Sequence, residues 1–376
     1  MAEHLNALNG TDLDAAALSM AFSVANGVGP ITMISGGAIN DRLGPRLVIL
    51  SGGVLFGLGM LLSSFARSAA ALIAFYGLGC GLGMGMVYGC TVNTCVKLFP
   101  DRRGLIGGLT TATYGLSSVV IPPVASAVIA ASGVTAAFRL LGIAFILVIC
   151  LCAILVSPGP APEVSAGRQD AGRDADWRGM LKSGSFYLMI VMLTCGAVAG
   201  LMMISQASSV AQNMAGFSVS GASAIVSVIA LFNVGGRVAA GYVSDKLGRV
   251  KTLSCAMLLS VAALLALFCL GSDPIAFSVC TAAVGLCFGA LMGIYPGFTA
   301  EQFGTRHNTV NYGIMFIGFA AAGIIGPSVM SSVYARTHIY TPAIAVAIAL
   351  SVAAFALSIL WQMLYAKRKK QPGGSN

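Results

Sequence analysis

The stretch IALFNVGGRVAAGYVSDKLGRVK, residues 229–251, decides how the rest of the chain is read. It starts as an apolar helix, meets one arginine, Arg237, and ends in the charged turn Asp245-Lys246-Leu247-Gly248-Arg249. Arg237 precedes Asp245 by eight residues, which is about 12 Å of helix at about 1.5 Å per residue. The hydrocarbon half-thickness of a bilayer is about 15 Å. A helix anchored by that turn therefore carries Arg237 close to mid-membrane. A charge at such depth costs roughly 2.5–3.5 kcal/mol and normally faces a polar interior. An anionic ligand is its natural partner.

The composition supports a membrane reading. Of the 376 residues, 57% are hydrophobic and 9% charged, against about 25% charged in soluble domains. Apolar runs of about 18 or more residues recur along the whole chain, so an all-α polytopic membrane protein is expected. The 47 glycines fit it, because small residues let membrane helices approach closely. The net charge of +9 follows the short loops of one membrane face, which is a topology signal and not a nucleic-acid footprint. The ten cysteines sit almost entirely inside apolar runs without metal-ligand spacing. They read as small core residues, not as a disulfide framework. His4, His307 and His338 form no zinc motif, and no cofactor or metal is expected. No basic region precedes an apolar stretch at the N-terminus, so no signal peptide is expected.

Eleven helices are predicted, at 13–38, 47–65, 70–97, 104–130, 134–156, 185–208, 218–243, 250–270, 275–303, 307–332 and 343–366. One set of loops holds Arg42 and Arg46; Lys97, Arg102 and Arg103; Arg168, Arg173, Arg178 and Lys182; Lys246, Arg249 and Lys251; Arg306; and the tail Lys367-Arg368-Lys369-Lys370. That is seventeen of the 21 basic residues, while the opposite face holds Arg67, Arg139 and Arg336. The rich face is cytoplasmic by the positive-inside rule. The C-terminus is then expected inside and the N-terminus outside, in the cell's inner (plasma) membrane. Residues 1–12 agree, with Glu3 and Asp12 and no Lys or Arg.

Residues 157–184 are the one polar interruption, rich in Pro, Gly, Ala and mixed charge, and read as a solvated linker. They separate a five-helix half, 1–156, from a six-helix half with a basic tail, 185–376. The halves repeat in parallel: Asp41-Arg42-Leu43-Gly44 matches Asp245-Lys246-Leu247-Gly248 at an offset of 204, which also carries Phe99 to Phe303 and Arg102 to Arg306. The same offset gives the helix at 185–208 no partner. The expectation is a six-plus-six design whose first helix is missing here, through a misassigned start or a truncated gene.

Gly37-Ala38-Ile39-Asn40-Asp41-Arg42-Leu43-Gly44-Pro45-Arg46 resembles the G-x-x-x-D-R-x-G-x-R loop of the major facilitator superfamily, and Gly241 to Arg249 resembles its second copy. The resemblance implies two parallel six-helix bundles around a central site. Within the superfamily, residues 13–366 resemble the oxalate:formate antiporter and monocarboxylate transporter families. The telling stretches are Lys97-Leu98-Phe99-Pro100-Asp101-Arg102-Arg103-Gly104, Tyr114-Gly115-Leu116-Ser117-Ser118 with Pro122-Pro123, Gly200-Leu201-Met202-Met203-Ile204, Asn233 to Arg237, and Tyr295 through Asn311-Tyr312-Gly313. In these families an arginine at the Arg237 position binds substrate carboxylate, and a polar or acidic residue matches Asn233. Aromatic residues matching Tyr88 and Tyr295 line the cavity. Oxalate-type members carry a lysine where Phe319 stands, and their first helix also contributes substrate contacts.

Each assignment has a plainer alternative. Arg237 is a carboxylate ligand or a structural arginine bonded to backbone carbonyls. Asn233, one turn earlier on the same face, orients Arg237, binds substrate or joins helices. Tyr88 and Tyr295 offer hydroxyls to a carboxylate or simply pack. Gln206 and Tyr312 are further substrate candidates, and Phe319 belongs on the cavity wall. Gly37, Asp41, Arg42, Gly44, Arg46, Asp245, Gly248 and Arg249 form gate contacts or serve topology alone. An acidic side chain there suits a neighbouring helix N-terminus, and the basic ones can pair across the halves. Pro122-Pro123 interrupt their helix, as a gate kink or a packing irregularity.

The expected function is secondary transport of small organic anions by alternating access, with monocarboxylates resembling lactate, pyruvate or formate as substrates. Movement is by exchange or linked to protons. The alternatives are a truncated relative without transport activity and an oxalate or dicarboxylate antiporter. An enzyme is not expected, because no Asp, Glu or His lies centrally in a predicted helix to carry acid–base chemistry. The expected partners are the carboxylate and the lipid bilayer, with no nucleic acid and a monomeric state.

Overall fold

A computed structural model of the chain describes residues 15–156 and 174–365. Among them the protein is helical throughout, without a strand. The long helices are α1 Ala15–Leu43, α2 Pro45–Ser63, α3 Ala69–Leu98, α4 (103–132), α5 (134–155), α6 Gly184–Ser205, α7 Val219–Leu247, α8 Arg249–Leu270, α9 Pro274–Phe303, α10 Asn308–Thr337 and α11 Thr341–Tyr365. A short helix, Ala207–Ala215, continues α6 beyond a bend at Gln206. Among the described residues nine helical segments are long and apolar enough to cross a membrane. One of them, Pro100–Leu155, holds both α4 and α5, because Gly133 breaks it with φ 82° and ψ 168°. The number of spans, eleven, stays a reading of the sequence. Large apolar side chains face outward along the helices, among them Phe22, Leu147, Leu155, Ile275 and Val279. A lipid-facing surface has that composition.

The predicted helices 104–130 and 134–156 leave Gly133 in the gap between them, and the structure breaks there; the interruption expected at Pro122-Pro123 within the first of them is corrected. Both prolines lie inside α4, and the non-helical dihedrals fall ten residues later, at Gly133. A proline removes one backbone donor without forbidding helical dihedrals on either side. In a membrane helix, neighbouring groups re-satisfy the freed carbonyls.

The repeated loop owes its shape to glycine. Gly44 has φ 82° and Gly248 has φ 91°, a region in which a side chain is strained. In each copy the glycine N–H donates to the carbonyl four residues back, Asn40 at 2.9 Å and Ser244 at 3.0 Å. One helix thus ends and the next begins without a spacer. Pro45 then opens α2 at a position where no donor is missed.

Glycines also set the helix crossings. On α3, Gly81, Gly85 and Gly89 meet Ala25, Gly29 and Met33 of α1, while Gly79 and Gly83 meet α2. On α9, Gly285, Gly289 and Gly293 meet Ile229, Asn233 and Arg237 of α7. The three pairs between α1 and α3 thus recur between α7 and α9 at the offset of 204. Without Cβ atoms the backbones come into direct contact, which is how membrane helices gain dispersion energy in the absence of a hydrophobic drive. Within the first half of α3, Ile73–Cys80 winds as a π-helix. Just beyond it the Thr32 hydroxyl donates to the Leu82 carbonyl at 2.7 Å.

By contacts the chain forms two compact units, each drawing on both sides of the linker. One comprises Met1–Leu98, Val120–Asp174 and Phe303–Ala320; the other comprises Phe99–Val119, Ala175–Gln302 and Ala321–Asn376. The division into halves 1–156 and 185–376 remains a reading of the repeat. Of the linker, 157–173 lies outside the described residues, and so do the tail Lys367 to Lys370 and residues 1–12.

Candidate functional site

In the second unit, α7 places Arg237 on the face that runs Ile229, Asn233, Arg237, Gly241. The glycine ladder of α9 lies against this face and α4 packs beside it. Arg237 is buried, 6% exposed. Its Nε donates to Asn233 Oδ1 at 3.0 Å, one helical turn earlier. Its Nη1 donates to the Thr111 carbonyl of α4 at 2.7 Å. Asn233 therefore does orient the guanidinium, and a backbone carbonyl from the other side of the linker holds it as well. A Cβ on Gly115 would lie 3.4 Å from Arg237 Nε and 3.5 Å from Cζ, so α4 passes at van der Waals distance from the guanidinium. Both acceptors are neutral dipoles. They solvate the charge and fix its plane, and planarity is what suits an arginine to a carboxylate.

Two turns further along α7, the Asp245 carboxylate accepts the Gly104 N–H at 2.9 Å and the Leu105 N–H at 2.8 Å. These are first-turn donors of α4, which lack intrahelical partners, and the positive end of the helix dipole favours the charge. Arg249 Nη1 lies 2.7 Å from Asp245 Oδ1 and donates to Ser244 Oγ at 2.6 Å. Its Nε reaches Glu301 Oε2 at 3.3 Å. The expected pairing of basic residues across the halves is thus corrected for Arg249. Its acidic partners, Asp245 and Glu301, come from the same half, because the tight Gly248 turn folds Arg249 back onto α7. At this turn the halves are joined by a carboxylate on backbone N–H groups.

The first unit holds the matching turn. Gly37 packs on Thr309 and Val310 at the start of α10, where an added Cβ would lie 3.0 Å from each. Arg46 donates from Nε to the Val156 carbonyl at the end of α5. Asp41 and Arg42 lie in α1, but their side chains fall outside the described residues. Beside the turn, among the described residues, lies a set of neutral groups. Asn40 Nδ2 reaches Thr309 Oγ1 at 3.5 Å, the Cys90 thiol donates to Asn40 Oδ1 at 3.3 Å, and Asn308 Nδ2 donates to Asn93 Oδ1. The sequence reading missed this amide cluster. The signal was three asparagines at helix ends, which sequence alone does not bring together.

The remaining candidates divide between the units. Tyr88, Tyr312 and Phe319 gather in the first unit around Phe316, at ring-centroid distances of 5.5, 5.8 and 4.6 Å. Tyr295 lies in the second unit, fully buried, with its hydroxyl donating to the Met189 carbonyl of α6 at 2.8 Å. Gln206, at the bend after α6, donates from Nε2 to Ser331 Oγ at 3.2 Å. Among the described residues no cluster of His, Cys, Asp or Glu has the arrangement of a metal site.

Comparison with known proteins places this architecture. The sequence model of the Major Facilitator Superfamily matches residues 1–249 and 215–376. The oxalate:formate antiporter of Oxalobacter formigenes is 32% identical over 316 residues, spanning 83% of this chain and 74% of that protein. Monocarboxylate transporter 13 of Rattus norvegicus is 28% identical over 313 residues, spanning 83% and 72%. In fold, the chain is similar to FucP, a transporter of the superfamily, with a TM-score of 0.71 at 15% identity, over 96% of this chain and 94% of that one. Helical throughout, multi-pass, and built on two copies of the same glycine turn, the chain belongs to the Major Facilitator Superfamily: it is a membrane transporter and not an enzyme.

Proposed function

We propose that the chain carries small organic monocarboxylates across the membrane by alternating access, with Arg237 as the carboxylate ligand. The observation that carries the reading is one buried guanidinium midway along α7, fixed by Asn233 and Thr111. The names of the relatives support the substrate class, since both an oxalate:formate antiporter and monocarboxylate transporters are among them. The valence follows from residue 319. Oxalate-type members have a lysine there, and this chain has Phe319. A dianion would leave one carboxylate without a cation in a low-dielectric site, at a cost of several kcal/mol. A monoanion leaves none.

Tyr88, Tyr312 and Phe319 are assigned to substrate contact together with Asn233. Tyr295 and Gln206 join them only in a state where their bonds to Met189 and Ser331 open. Gly37, Asp41, Arg42, Gly44, Arg46, Asp245, Gly248 and Arg249 are assigned to the gate. In this reading the Asp245 contact with Gly104 and Leu105 exists in one access state and biases the equilibrium toward it. No acidic residue sits mid-helix to carry a proton, so transport is by exchange, or the substrate carries its own proton. The protein sits in the plasma (inner) membrane with its C-terminus in the cytoplasm.

The test is uptake of labelled lactate, pyruvate and formate into proteoliposomes, with and without the same acids inside. No uptake of any monocarboxylate by a monodisperse, correctly inserted protein would reject the substrate class. Uptake driven strictly by a pH gradient, with a substrate that stays fully ionised, would reject the coupling.

A further inference from the structure

We infer that Arg237 is a latch as well as a ligand: a bound carboxylate draws the guanidinium away from the Thr111 carbonyl and so loosens α4 from α7. The inference rests on the reading of Arg237 as the carboxylate ligand and adds what binding does to the helices.

From Gly104 to Gly115, α4 presents glycine to α7. Gly104 meets the Gly241 carbonyl, Gly108 meets the Arg237 carbonyl, and Gly115 meets the Arg237 guanidinium. Side chains interlock little along such a seam, so its polar ties weigh heavily. Two ties are built alike, each a charged side chain of α7 on the backbone of α4. Asp245 accepts from the N–H groups of Gly104 and Leu105, and Arg237 donates a hydrogen bond to the Thr111 carbonyl. Asp245 lies at the helix end, where an ion in solution or a change of gate state breaks its contact. Arg237 lies in the interior, and in the proposed reading it is the substrate's ligand.

The chemistry of the fork makes ligand and latch compete. A guanidinium grips a carboxylate in two-point fashion through Nη2 paired with either Nε or Nη1. The first grip displaces Asn233 alone; the second, which the latch requires, draws on Nη1, the nitrogen that Thr111 holds. An ionised acceptor facing an ionised donor outweighs a neutral carbonyl. The Asn233 bond stays within α7, so giving it up moves no helix. The Thr111 bond spans two helices, so giving it up removes one of the ties between them and leaves the Asp245 contact at the helix end. Gly115 is the positioning residue of the device: a Cβ there would already touch the guanidinium, so a larger side chain would press it away from α4 without any substrate.

The experiment uses the full chain in proteoliposomes, with the ten native cysteines replaced and Thr111→Cys as the single reporter. Thr111 is fully buried, and its replacement leaves the backbone carbonyl in place. The readout is the rate at which a membrane-impermeant maleimide labels the reporter thiol, with binding of radiolabelled lactate measured in parallel. Saturating lactate should raise labelling at least about fivefold, the lower end of ordinary coupling between sites. Arg237→Met should label as fast without lactate, and lactate should add nothing. Arg237→Lys, which keeps a single-point bond to Thr111, should label slowly and respond little. Lactate that binds the reporter protein yet leaves its labelling unchanged would overturn the latch and leave the ligand reading intact. Unchanged lactate affinity in Arg237→Met would overturn the ligand reading, and with it the competition.

Discussion

At the crossing of α1 and α3, Gly85 and Gly89 meet Gly29 and Met33; at the crossing of α7 and α9, Gly289 and Gly293 meet Asn233 and Arg237. The scaffold is the same 204 residues apart, yet the first copy is apolar and the second carries an amide and a guanidinium. Near the gate turns, the described contacts include Asn40, Asn93, Asn308 and Thr309 in the first copy and Asp245, Arg249 and Glu301 in the second. At the helix crossing, backbone geometry belongs to the repeat, whereas the buried charge belongs to one copy. A duplicated crossing provides the polar copy with a support already stable without it, since glycine-to-backbone packing does not depend on which side chains flank it.

The sharpest test of that asymmetry is Arg237→Lys. It keeps the charge and loses the planar fork. Uptake should fall at least about tenfold with normal membrane insertion, in line with about 1.5–3 kcal/mol for a hydrogen bond to a charged group. Near-normal uptake would mean that the polar copy has no special task.

The next test compares the ladders. A Cβ on Gly293 would strike the Arg237 backbone carbonyl, whereas one on Gly89 would lie 3.1 Å from the flexible Met33 side chain. Gly293→Ala should therefore lower thermal stability in detergent by about 1–3 kcal/mol, the usual overpacking range, and Gly89→Ala by clearly less. Equal losses would show that the two crossings are packed alike after all.

Valence gives a smaller effect. Lactate should compete against a labelled monocarboxylate about tenfold better than oxalate, roughly 1.4 kcal/mol. Phe319→Lys should narrow that gap. Oxalate competing as well as lactate in the unmutated protein would place a second cation elsewhere.

The smallest effect is expected at the gate. Asp245→Asn removes the charge that caps α4 but keeps an acceptor, so the access equilibrium should shift by about 1 kcal/mol or less, with substrate affinity within a few-fold. The labelling rate of the Thr111→Cys reporter reads the shift. Asp41→Asn probes the amide-rich copy. If neither substitution changes labelling, both residues serve topology alone.

Much of the architecture is legible in the chain itself. Arg237 declares its depth by its distance from the Asp245 turn, and Gly44 and Gly248 declare the turn by their spacing from the acids. The period-four glycines of α3 and α9 are visible but silent about their partners, because a glycine ladder fits any helix that offers a backbone. The boundary of α4 and α5 is legible, since the predicted helices leave Gly133 between them, whereas Pro122-Pro123 signal an interruption that the helix does not have. Glu301 escapes notice as the second partner of Arg249, because 52 residues separate them.

The sequence by itself determined the membrane class, the repeat, the turns and the single charged residue in mid-helix. Each is written in hydropathy, charge or the special backbone of glycine, and these act over one or two turns. Only the tertiary structure decided that Arg237 is held by the Thr111 carbonyl, that Asp245 caps Gly104 and Leu105, and that the Tyr295 hydroxyl is engaged by Met189. Those bonds depend on the register between helices more than a hundred residues apart. That register is set by the packing of whole helix faces, and no local stretch of the chain encodes it.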